Sequence, residues 1–184
     1  MTALVNADAT KGAEVETYSP ERWDDHLLLP QARLIGATQP TYRAFGTSLY
    51  GWEFAAGDLM YVDAAQFPHS WDFSPIRPHV HFSSDNGGTG DIVWETIYRT
   101  RSVNGSWSAE LTRSVTWSGT LAAFAGSVAD LWTGEGDTVA NPGPSMLMKG
   151  RLRLVSKTFT GRVFLDGWDI HLRRNRAGTV GEFN

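Results

Sequence analysis

The sequence predicts an all-β fold: an antiparallel two-sheet β-sandwich of jelly-roll type, preceded by an extended N-terminal arm. Three observations lead there. Apolar residues recur with period two along several segments, not with the 3.6 period of a helix. The chain is rich in ring side chains, with 8 Trp, 5 Tyr and 9 Phe, and these favour pleated, half-buried surfaces. Turn formers are abundant, with 19 Gly and 8 Pro, and they divide the chain into short segments.

The elements follow in order. Residues 1–22 are polar and small, without a sustained period, and read as the arm; residues 23–184 read as the sandwich domain. Such an arm is either a frayed terminus or a segment that orders on a neighbouring subunit. From Trp23 a short apolar run ends at Pro30. Residues 52–67 form one long strand or two short ones, with Gly57-Asp58 as the bend or bulge. Pro68, Pro75 and Pro78 enclose a loop that leads into a short strand, His79 to Phe82. Residues 83–91 are a turn.

Ile92, Trp94, Thr96 and Tyr98 then alternate with Val93, Glu95, Ile97 and Arg99. Asn104-Gly105 suits a type I′ hairpin turn. The return strand places Trp107, Ala109, Leu111, Val115 and Trp117 on one face. Arg113 interrupts that face and belongs near an edge or rim. Residues 119–132 are either a helical turn or an irregular strand, and 134–145 are a loop. Met146, Met148, Leu152 and Leu154 share a face opposite Lys149, Arg151 and Arg153. Phe164, Trp168, Ile170 and Leu172 share another, opposite Asp169, His171 and Arg173. About seven to nine short strands without a βαβ unit need a partner sheet for every apolar face, hence the sandwich. Trp23, Trp94, Tyr98, Trp168 and Ile170 are the expected core residues.

Composition sets outer limits. The 184 residues suit one domain, and a chain of that size buries about 70% of its unfolded surface without needing a metal or disulfide. The absence of Cys excludes disulfides, thiolate zinc sites and Cys nucleophiles. The net charge of −4 lacks the basic footprint of a nucleic-acid binder. The longest apolar run is far short of a membrane span, and residues 1–16 contain no apolar h-region. Neither nucleic acid nor membrane is therefore an expected partner.

The chemistry-bearing residues are few. His79 and His81 point to the same side of a strand, with His69 nearby in sequence, so two imidazoles could grip a metal as in a cupin. Asp85 would be the following acid. The second cupin element is incomplete, because the Asn141-Pro142-Gly143-Pro144 turn is followed by no His before His171. Packing histidines are the better reading, with no catalytic residue, cofactor or metal assigned. Asp24-Asp25, Glu95, Asp166 and Asp169 do not define a glycosidase pair, although Asp169 and His171 share a face and could form a dyad. Ser70 and Ser83 lack a nucleophile elbow. The glycine-rich turns at 87–90 and 134–136 lack the ending of a phosphate loop. Asn104-Gly105-Ser106 reads as a hairpin tip rather than a glycan site. Arg151, Arg153, Arg173, Arg174 and Arg176 are a solvated face or a contact for an acidic protein. The Trp residues read mainly as core, with a carbohydrate platform as the alternative.

An ordered set of short motifs runs through the domain: Trp23-Asp24-Asp25; Gln66-Phe67-Pro68-His69-Ser70-Trp71; Pro78-His79-Val80-His81-Phe82; Val93-Trp94-Glu95 with Tyr98; Asp166-Gly167-Trp168-Asp169-Ile170-His171; and Gly178-Thr179. In order and spacing this set resembles a group of tailed-bacteriophage structural proteins over roughly residues 23–180. It departs from them at Phe82, Leu172 and Thr179, where Trp, Tyr and Ser are expected. The resemblance implies a non-enzymatic jelly-roll virion protein that forms homotrimers. It would decorate or cement the outer surface of the capsid at capsomer junctions, bound to the major capsid protein. The alternative is a tail fibre or needle knob, in contact with tail proteins or a host surface receptor. A cupin-like metal enzyme is the third reading. His69, Trp71, His79, His81 and His171 are then the candidates for trimer packing, fixing register by hydrogen bonds near the axis.

If the arm is an anchor, removing residues 1–20 leaves a folded trimer that no longer co-sediments with capsids. Unchanged attachment would refute the anchoring role.

Overall fold

Period two carries through the described residues as ten strands. The computed structural model describes residues 23–28, 38–140, 142–143 and 145–174. The arm and the segment after Arg174 lie outside the described residues. The strands are β1 (Trp23–Leu28), β2 (Thr41–Phe45), β3 (Leu49–Glu53), β4 (Leu59–Gln66), β5 (Arg77–Ser84), β6 (Gly88–Arg101), β7 (Leu111–Leu121), β8 (Ala125–Asp130), β9 (Leu147–Lys157) and β10 (Phe164–Arg173).

They form two antiparallel sheets packed face to face. Sheet A runs β2-β3-β10-β5-β8, and β1 also pairs with β10. Sheet B runs β4-β9-β6-β7. Along β10, β3 covers the start at Phe164 and Leu165, and β1 covers the remainder from Trp168 to Arg173. The all-β sandwich expected from the sequence is the fold observed.

The core forms where the alternating faces meet. Ile92, Trp94 and Tyr98 of β6, Met148, Leu152 and Leu154 of β9, and Trp168, Ile170 and Leu172 of β10 are all buried. Trp94 packs against Phe54 at 5.3 Å and Phe82 at 6.0 Å between ring centroids. The sheets interlock at Gly150, where a Cβ would come 2.9 Å from the Ile97 carbonyl oxygen and 3.2 Å from the Trp168 ring. Trp23 forms part of the β1 backbone opposite Arg173, but its side chain lies outside the described residues.

Segment 52–67 resolves into the end of β3, a turn and β4. Gly57 has φ +94°, which a side chain would strain, and its N–H donates to the Leu154 carbonyl at 2.7 Å. Segment 119–132 resolves as the end of β7, a turn and β8, with no helical turn.

Two expectations are corrected. Asn104-Gly105 makes no type I′ turn, since neither residue is among those with positive φ. The end of β6 is held by β9 as far as Arg101–Leu147, while β7 begins only at Leu111, opposite Tyr98. Residues 102–110 bridge the gap as a wide loop, and Trp107 therefore leaves the core face. Phe164 is also misplaced by simple alternation. The β10–β5 register shifts between Leu165 and Gly167, so Asp166 is an extra residue and the faces exchange across it. Leu165 joins the core. Phe164 turns to the outer side of sheet A, 5.0 Å from the Phe45 ring and under the Arg162 guanidinium at 4.8 Å.

Arg113 sits on the inward face of edge strand β7, as its position in the pattern implied. It donates to Asp137 Oδ1 at 2.6 Å, and Tyr98 Oη donates to Asp137 Oδ2 at 2.6 Å. Asp137 is 1% exposed and exchanges two backbone hydrogen bonds with Ile76. Burial, and then the bond to Asp137, push the Tyr98 hydroxyl far above its ordinary pKa, so it remains a donor.

Trp168→Ala is expected to cost ~3–5 kcal/mol in denaturant unfolding; a loss under about 1 kcal/mol would contradict its core position. Arg113→Met, which keeps bulk but strands the Asp137 carboxylate, is expected to cost about 3 kcal/mol. Near-neutral unfolding would show that Tyr98 and the backbone suffice to hold that charge.

Candidate functional site

The outer face of sheet A gathers the histidines. On β5, Val80 and Phe82 point into the core, so His79 and His81 point outward. On β10, beyond the bulge, Trp168, Ile170 and Leu172 point inward, and Asp169 and His171 point outward. Antiparallel pairing sets His79 opposite Asp169. On the other side of β5, β8 sets Asp130 opposite His79. On the other side of β10, β1 sets Asp25 opposite His171. Three imidazoles and three carboxylates thus converge from four strands.

The contacts are short. His171 Nε2 lies 2.6 Å from Asp25 Oδ1, and His81 Nε2 lies 3.2 Å from Asp169 Oδ2. The His79 and His171 rings are 3.8 Å apart between centroids, tilted by 36°. His79 Nδ1 is 2.8 Å from Asp130 Oδ1, but the geometry is not that of a hydrogen bond, and both ring nitrogens of His79 are buried without one. Asp169 Oδ1 is buried in the same condition. Burial, then the neighbouring His171, lowers the His79 pKa, against opposing pulls from Asp130 and Asp169. Burial thus favours the neutral ring. Leu27, 57% exposed, and Val128, 43% exposed, flank the cluster at the positions paired with Asp169 and His81.

Of the residues singled out in the sequence, His79, His81 and His171 are brought together. His69 has different partners, Ser145 Oγ at 2.8 Å and Gln66 Nε2 at 3.1 Å. Trp71 is a core residue, edge-on to Phe67 at 5.0 Å, with its indole N–H on the Ser74 carbonyl. Asp85 does not serve as the acid of a cupin-like set. It accepts from Arg162 at 2.7 Å and from the Gly46 N–H at 3.3 Å, while His81 meets Asp169 instead. Sequence reasoning missed Asp25 and Asp130, whose nearness to histidine arises only from strand pairing.

A second feature lies on the outer face of sheet B. It is an open hollow of about 400 Å³ lined by Tyr61, Ile97, Trp107, Glu110, Lys149 and Arg151, among others. Lys149 and Arg101 sit over the Trp107 ring at 5.7 and 5.2 Å. Arg99 pairs with Glu110 at 3.3 Å, and Arg151 Nε is buried without a hydrogen bond.

The chain matches no protein-family model, and no curated protein is significantly similar to it.

Proposed function

We propose that the chain is a virion structural protein of a tailed phage: a homotrimeric decoration or cement protein with jelly-roll wiring, bound to the outer capsid surface at capsomer junctions. The observation that carries this reading is the strand order. Setting aside β1 and β2, eight strands divide as β3-β10-β5-β8 and β4-β9-β6-β7. That is the order in which a jelly-roll distributes eight strands between two sheets, an architecture used in viral capsids.

The motif residues add a second support. Asp25, His79, His81, Asp169 and His171 come from three separate motifs of the phage resemblance, yet they share one patch on sheet A. With Leu27 and Val128 at its border, the patch combines apolar area with directional polar groups, as a protein contact requires. A standard interface buries ~1,600 Å², and a three-fold axis repeats each contact three times.

A tail knob that binds a host surface is the second reading, and the hollow on sheet B favours it. Tyr61 and Trp107 line the hollow, and the Trp107 ring carries Lys149 and Arg101, cations able to bind the acidic substituents of a saccharide.

Light scattering on the purified chain is expected to give three times the monomer mass, and counting copies in purified virions is expected to give hundreds. A monomer would overturn the trimer. A dozen copies or fewer would move the protein from head to tail.

A further inference from the structure

We propose that Asp25, Asp169 and His171 form a three-donor binding site for a divalent transition cation of the zinc class on the outer face of sheet A, with water completing the coordination. This inference goes beyond the virion reading and does not rest on it.

Donor spacing comes first. One ligand atom from each of Asp25, Asp169 and His171 lies within 4.8 Å of the other two. A tetrahedral ion with bonds near 2.1 Å holds its donors about 3.4 Å apart. The 2.6 Å separation of His171 Nε2 and Asp25 Oδ1 would open by less than 1 Å to admit it. Asp25 is at the surface, with its side chain 68% exposed, so an ion can reach the site from solvent.

The second observation is independent of that spacing. His79 is 6% exposed and its ring lies against His171, yet neither of its nitrogens has a hydrogen bond. Asp169, also 6% exposed, leaves Oδ1 without a partner. Buried polar atoms in natural folds almost always have partners. Here two neighbouring residues of the same cluster carry such atoms, and an ion held by Asp169 Oδ1 would give that oxygen its partner.

The surroundings fit as well. His79 packs its ring against the His171 ring, 3.8 Å between centroids, and so backs that ligand from the side of β5. His81 holds Asp169 Oδ2 at 3.2 Å. A hydrogen-bonded ligating carboxylate is one of the outer contacts that orient metal ligands. An imidazole with two carboxylates and no thiolate favours zinc and its neighbours over magnesium or calcium, which take all-oxygen sites. The ligands come from β1 and β10, so the ion would clamp the edge strand β1 to the middle of sheet A.

The test uses tag-free, full-length protein stripped with chelator. Calorimetric titration with zinc chloride, with retained metal measured by mass spectrometry, is expected to show one zinc per chain at micromolar Kd or tighter. Equimolar zinc should raise the melting temperature. Asp169→Asn and His171→Gln should each weaken binding tenfold or more, as should Asp25→Asn, whose exposed side chain can change without disturbing the core. His69→Gln should bind as wild type. No zinc retained by the wild type would overturn the proposal. So would Asp25→Asn binding zinc as tightly as wild type, equal loss in His69→Gln, or magnesium binding as tightly as zinc.

Discussion

The pairing of β10 with β5 decides both what the molecule buries and what it displays. From Gly167 to His171 this register is fixed. It puts Trp168 and Ile170 into the core, together with Val80 and Phe82. The same register puts Asp169 and His171 outside, beside His79 and His81. With a side-chain period of two, these outcomes cannot be set separately, because a one-residue slip would bury the charged set and expose the indole. The core therefore enforces the polar patch. The burial of Trp168, secured where its ring meets Gly150, is the strongest force holding Asp169 opposite His79.

The bulge at Asp166 is the other half of that constraint. Without the extra residue, Phe164 would share a face with Trp168 and compete for the core. With it, Leu165 enters the core and Phe164 closes a smaller cluster on the outer side of sheet A, with Phe45, Phe124 and Arg162. Arg162 also joins Asp85, at the end of β5, to Glu53, at the end of β3, by contacts of 2.7 and 3.2 Å. One inserted residue thus separates an aromatic end of the sheet from a histidine end. Asp166 also accepts from Ser83 Oγ at 2.8 Å, which ties the bulge to β5.

Much of this was legible in the sequence where alternation is uninterrupted. Trp94 to Tyr98, Met146 to Leu154 and Trp168 to Leu172 declare their buried faces directly, and Arg113 declares its rim position by breaking a pattern. Phe164 was not legible, because a bulge resets the period and a composition of Leu-Asp-Gly does not announce one. Asn104-Gly105 suggested a tight hairpin, but turn preference is local. The pairing of Arg101 with Leu147 keeps β6 running past the point where β7 can follow. The candidate site was half legible. His79, His81 and His171 fall on outward positions by parity alone. Asp25 and Asp130 reach them only through pairing partners distant in sequence, and His69, close in sequence, takes Ser145 instead.

The two outer faces differ in their balance of charge, and that biases what each can bind. Sheet A presents Asp25, Asp130 and Asp169 around imidazoles, of which His79 has its pKa lowered by burial first and by His171 second. Sheet B presents Arg99, Arg151 and Arg153 with Lys149, against Glu95 and Glu110. An acidic surface meets the three carboxylates on sheet A, with Arg77 beside them, and a denser set of cations on sheet B. A basic surface, or a cation, finds the reverse. At close range such mismatches cost several kcal/mol, enough to exclude a wrong partner. The sandwich keeps the two sets apart by the thickness of its core, ~10 Å between sheets, and each set opens to its own side, where solvent and salt screen it. Each face therefore selects its partner with little interference from the other, and a single chain can hold two attachments of opposite character.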